Sequence, residues 1–91
     1  MGEKVLHLTL KKKWFDEILA GKKKWEYREL KPYWERRLFT ESGEPRAFSH
    51  IRFRNGYQPT SRAMDVEFLG VYIIDGVIAI KLGRILNKYN M

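Results

Sequence analysis

The sequence predicts an α+β fold: a small β-barrel of about five strands, with two short helices covering a cleft. Three observations lead there. The chain has 91 residues, enough for one hydrophobic core and too few for two, so residues 1–91 read as a single domain. Apolar residues recur at every second position in several stretches, and the helical period intrudes only in the first half. Asp75-Gly76 between two β-rich runs is a strong hairpin signal, while Gly70 and Gly83 inside strand-like segments mark bulges or tight bends that let a short sheet curl.

Taken in order, Val5 to Leu10 alternates with Leu6, Leu8 and Leu10 on one face, which predicts a half-buried first strand. From Lys12 the period changes. Trp14, Phe15, Ile18 and Leu19 form a helical stripe, and Gly21 stands where a helix stops in the left-handed conformation. Lys24 to Leu30 alternates again, with Trp25 and Tyr27 on one face and Glu26 and Arg28 on the other; Trp14 and Trp25 read as packing residues. Pro32 suits the first turn of a second, short helix carrying the Trp34/Leu38 pair with Arg36 and Arg37. Thr40 to Pro45 is an exposed loop, and Phe48 to Arg54 a third strand with Ile51 and Phe53 inward and His50, Arg52 and Arg54 opposite. Asn55-Gly56 ends it. After a loop through Arg62, Ala63 to Ile74 and Val77 to Leu82 are the fourth and fifth strands.

Composition narrows the chemistry. Eighteen Lys and Arg against 11 Asp and Glu give a formal charge of +7, which favours polyanionic partners through counterion release, nucleic acid first among them. The absence of cysteine excludes disulfides, thiolate zinc sites and a cysteine nucleophile. His7 and His50 match no metal-ligand spacing, so neither a metal nor another cofactor is expected. Met1-Gly2-Glu3-Lys4 leads into a strand without a signal-peptide stretch, and no apolar run approaches the ~20 residues that span a bilayer; a cytoplasmic protein without membrane contact is expected.

The densest chemistry lies in Gly21-Lys22-Lys23-Lys24-Trp25-Glu26-Tyr27-Arg28. Glu26 and Arg28 share a strand face, and Lys23 at the strand entrance can swing toward the same opening, so the three can pair among themselves or receive an anion. Tyr33, Trp34 and Tyr57 are the aromatic residues best placed to touch a ligand, because single-stranded RNA recognition combines stacking with backbone neutralisation. Arg52 and Arg54, one residue apart on a strand, point the same way and would extend the positive track.

The octet carries the complete pattern Gly-x-Lys-x-x-Glu-x-Arg, and with it the chain resembles the ASCH family of the PUA-like superfamily, in particular its small bacterial and phage-borne members. The likeness extends to Phe15-Asp16-Glu17-Ile18-Leu19-Ala20, Lys31-Pro32-Tyr33-Trp34, Arg52-Phe53-Arg54-Asn55-Gly56-Tyr57 and Ile80-Lys81-Leu82-Gly83, nearly the whole chain. The resemblance implies a PUA-like β-barrel whose motif lines a cleft beside the first helix, and a role in binding RNA or a nucleotide. It makes Lys23, Glu26 and Arg28 the cleft residues: the two cations to meet phosphate or a base edge, the carboxylate to orient them or accept from a base amino group. Gly21 becomes the helix terminator.

Two other classes stay open. Some ASCH proteins are amidohydrolases on acylated cytidine, and others are linked to ribonuclease activity; in an enzyme of either kind Lys23 would be base or nucleophile and Glu26 its proton partner. The amidohydrolases carry a threonine where this chain has Glu26 and take a further glutamate from a later helical segment, which this sequence does not show. The phage-type likeness also admits a protein-interaction module whose basic surface meets an acidic partner. Loss of binding with salt marks the RNA module, metal-independent deacylation the enzyme, and binding that survives neutralisation of Lys23, Glu26 and Arg28 the protein partner.

Overall fold

A computed structural model describes residues 4–91. Its elements are β1 (Val5–Thr9), α1 (Lys12–Leu19), β2 (Trp25–Glu29), α2 (Pro32–Leu38), β3 (His50–Arg54), β4 (Ala63–Ile74) and β5 (Val77–Tyr89). The strands form one sheet in the order β1-β3-β4-β5-β2, with β1 and β3 parallel and every other neighbouring pair antiparallel. The sheet curls into a half-barrel. Its curvature arises where β4 slips against β5, in register shifts between Asp65 and Gly70.

The order of strands explains the opening. β1 and β2 are the two sheet edges, yet α1 connects them directly, and α2 runs from β2 back to β3 beside β1. Both helices therefore cross the seam between the edges. Phe15 and Ile18 of α1 and Leu38 of α2 are buried in the same cluster as Leu6, Leu8, Ile51, Phe53 and Ile80 from the strands. Burying each such side chain is worth roughly 1.5–3 kcal/mol, which holds the helices in the seam and leaves the half-barrel unclosed.

The alternation expected in β1 and β3 is present, with Leu6, Leu8, Ile51 and Phe53 inward. In β2 the inward side is the charged one. Glu26 is buried at 5% exposure, while Tyr27 is 51% exposed and Trp25 packs on the outer surface against Tyr72 at 6.1 Å between ring centroids. Trp25 is thus a packing residue outside the core. The physical reason is the position of β2 at the seam, where its inner face looks into an open cleft and accepts polar groups.

Strand β5 also differs from the expectation, running past Leu82 to Tyr89 and pairing with the first half of β4, Ala63 opposite Tyr89. Gly83 does not end the strand; it makes room for a neighbour. A Cβ there would lie 2.8 Å from the Cβ of Glu67, so the missing side chain lets β4 and β5 approach at the irregularity. The hairpin is as expected, Asp75 and Gly76 both having positive φ, 52° and 74°, as a type I′ turn requires. Thr40 to Pro45 is an exposed turn closed by Thr40 N–H on the Glu44 carbonyl at 2.8 Å.

Candidate nucleic-acid interface

The start of β2 is set by the end of α1. Gly21, with φ +76°, donates its N–H to the Ile18 carbonyl at 3.0 Å, and Lys22 donates to the Glu17 carbonyl at 2.9 Å, the paired bonds of a Schellman cap. The Lys23 N–H also reaches the Glu17 carbonyl, at 3.2 Å. The turn therefore delivers Lys23 to the seam on a short, hydrogen-bonded tether. Asp16 ties the same helix to the sheet by accepting from Arg62 at 2.9 Å, and Asn55 Nδ2 donates to the Leu10 carbonyl at 3.1 Å.

These ties frame a cavity of about 740 Å³ between the edge of β1, the first turn of α1, β2 and α2. Glu26 forms its inner end. The carboxylate lies between Lys23, 3.5 Å from Oε1, and Arg28, whose guanidinium bonds Oε2; all three side chains are largely withdrawn from solvent. A carboxylate offers about four lone-pair directions, so Glu26 keeps acceptor capacity toward the cavity after pairing with both cations.

Three cations of the cleft lie over aromatic rings. Lys23 Nζ is 5.3 Å from the Trp14 centroid and 5.1 Å from that of Tyr27. Arg28 is 5.2 Å from the Trp34 ring, and Arg37 lies 5.1 Å from Trp34 and 5.7 Å from Tyr33. Such contacts fix a flexible cation without consuming its hydrogen-bond donors. Arg37 is further oriented by the His7 carbonyl on the free edge of β1, at 3.2 Å.

Of the residues singled out from the sequence, Lys23, Glu26, Arg28, Tyr33, Trp34 and Tyr57 all line this cavity. Arg52 and Arg54 do not. On the outer face of β3, Arg52 grips Asp65 with Nε and NH2 at 2.7 and 3.0 Å, and Arg54 donates to the Gln58 carbonyl at 3.0 Å. Neither joins the lining of the cavity, so the structure does not bring them to Lys23, Glu26 and Arg28. Conversely, Trp14, read from its helical stripe as packing, is 41% exposed at the cleft rim. Arg37 is a cleft residue that the sequence did not single out; its spacing of four from Tyr33 on α2 was the available signal.

Asp65 is the second buried carboxylate, at 2% exposure. Burial pushes its carboxyl up, but the hydrogen bonds from Arg52 and Tyr89 and the charge of Arg52 outweigh this and hold it below its ordinary value. The Arg52 guanidinium is stabilised in return, chiefly by its hydrogen bonds to Asp65. Tyr89 donates to Asp65 at 2.6 Å, which pushes the phenol up. His50 Nε2 stands 3.6 Å from Asp65, buried and without a hydrogen-bond partner among the described residues. The network reads as a brace between β3, β4 and β5.

Among the described residues no cluster of His, Asp and Glu has the arrangement of a metal site, and no helix is long and apolar enough to cross a membrane. No family model, curated protein or solved structure matches the chain, so functional inference rests on the geometry of the cleft and on its sequence pattern.

Proposed function

We propose that the chain is an RNA- or nucleotide-binding module of ASCH-like, PUA-like type, and that the cleft between β1, β2 and the two helices holds one nucleotide unit. The observation that carries this reading is the buried Glu26 clamped by Lys23 and Arg28 beneath cations seated on Trp14, Tyr33 and Trp34. Arg28 and Arg37 have donors to spare for phosphate oxygens, the ring faces offer stacking, and Glu26 can accept from an exocyclic amino group. One site thus combines an anion contact, a stacking surface and a base-edge acceptor.

The hydrolase reading asks more of Lys23. Lys23 Nζ is already engaged by the Glu26 carboxylate and lies over the Trp14 and Tyr27 rings, the arrangement of a held binding cation. The surroundings favour a binding role. Titration of short single-stranded RNA, tRNA and free nucleosides, N4-acetylcytidine included, against wild type, Lys23→Ala and Arg28→Ala tests this directly. A drop of about tenfold or more in affinity for each variant, without product, is expected from removal of a charge-assisted hydrogen bond. Unchanged affinity in both variants would overturn the site, and product that vanishes in Lys23→Ala would make the protein an enzyme.

A further inference from the structure

A second groove lies on the other side of α2, a cavity of about 790 Å³ whose charged lining residues are Lys4, Arg36, Arg37 and Arg46. Among the described residues no carboxylate lines it. Arg37 borders both this groove and the cleft, so the two are joined across one residue of the helix. We propose that this groove is a phosphate-backbone track, taking the continuation of the RNA strand whose nucleotide occupies the cleft. The inference rests on the RNA-binding reading of the cleft and extends it from one nucleotide to several.

Charge pairing supports the assignment. Arg28, Arg52, Arg62 and Arg84 each face a carboxylate, whereas Lys4, Arg36, Arg37 and Arg46 take part in no ion pair among the described residues. Cations held together without acids cost self-repulsion that a polyanion relieves. Glu35 and Glu41 border a neighbouring groove that shares Arg36 and Arg46, and neither comes within ion-pair distance of them. The carbonyl end of α2 would ordinarily repel phosphate. Here Arg46 Nε donates to the Arg36 and Phe39 carbonyls at 3.2 and 3.0 Å, which offsets that partial charge and leaves its terminal nitrogens with no partner among the described residues.

The lining also says which part of the strand fits. Phe48 turns its ring onto Phe68 at 5.3 Å between centroids, so the groove offers no cation-seated aromatic platform like those of the cleft. It can neutralise phosphates and cannot stack a run of bases. The cleft then holds the base and this groove the backbone leading to it.

Fluorescence anisotropy with two probes, a labelled mononucleotide and a single-stranded RNA octamer, separates the two sites. The double variant Lys4→Ala/Arg36→Ala removes exposed side chains that make no hydrogen bond among the described residues, so the fold is expected to survive, and circular dichroism checks it. The octamer should bind roughly fivefold to twentyfold more weakly, with the slope of log affinity against log salt reduced by about 0.7 for each phosphate that the variant no longer engages. Mononucleotide affinity should be unchanged. An octamer affinity and salt slope equal to wild type would overturn the track. If Lys23→Ala leaves both probes unaffected while the double variant weakens the octamer, the cleft reading fails and the groove remains as a polyanion site. A poly-glutamate peptide of equal charge that displaces the octamer as well as unlabelled RNA does would also overturn it, in favour of an acidic protein partner.

Discussion

Glu26 is a carboxylate buried in a chain with a large excess of positive charge, and the two cations that flank it compensate its removal from water. Glu26→Gln leaves Lys23 and Arg28 facing each other across a neutral amide. A loss of about 2 kcal/mol of stability is expected, below the roughly 3–5 kcal/mol of a fully buried broken pair because both cations retain some solvent. Denaturant titration of the variant checks this. Asp65 makes a different prediction, for acid. Its folded-state carboxyl lies below the ordinary value near 3.8, so its contribution is complete above that value and is lost as pH falls through the lower folded one. Asp16 behaves in the same sense, through its hydrogen bonds to Lys12 and Arg62. Asp65→Asn should therefore lower stability at pH 7 and flatten its fall below about pH 4, as read from unfolding midpoints across roughly pH 2.5 to 7. A wild-type-like acid limb in the variant would contradict the role given to the brace.

Among the elements, the turn from α1 to β2 does most to position the site. Gly21→Ala forces a side chain into the left-handed region at φ +76°, costing roughly 1 kcal/mol, and loosens the tether that presents Lys23. Nucleotide affinity should fall together with stability, whereas Gly83→Ala, which drives a Cβ against Glu67, should cost about 1–3 kcal/mol while leaving the folded protein's affinity intact. Comparing unfolding midpoints with affinities at low temperature separates the two effects. The same elements show what was legible in the chain. Period-two alternation in β1 and β3 identified the inward leucines, isoleucine and phenylalanine correctly, because both strands lie against the core on one face only. In β2 the alternation separated two faces and put Glu26 and Arg28 toward an opening, but it could not say that Glu26 would be buried there or that Trp25 would pack outside the core. The end of β5 was hidden for another reason. Arg84 to Tyr89 has little alternation of its own and becomes a strand by pairing with the distant start of β4. Within the site, the octet brought Lys23, Glu26 and Arg28 together because one tight turn and one strand hold all three. Trp14 and Arg37 join them through the packing of the two helices across the seam; local spacing marks Arg37 only as a neighbour of Tyr33.

For the molecule as a whole, a charge of +7 is spread unevenly. On the outer face of β3, Arg52 is neutralised by Asp65, while cations without carboxylate partners among the described residues collect around α2. A half-barrel left open at its seam, with two helices laid across the gap, places aromatic rings at one mouth and joins it through Arg37 to these cations. RNA affinity should accordingly fall steeply with salt, with a log–log slope of about −0.7 for each phosphate engaged. The measurement that bears most directly on this account is the affinity of wild type and of Lys23→Ala/Arg28→Ala for a short single-stranded RNA at matched ionic strength. A drop of about a hundredfold in a variant that remains folded is the expected result, since two charge-assisted hydrogen bonds are removed; equal affinity in the two proteins would contradict the cleft as the binding site.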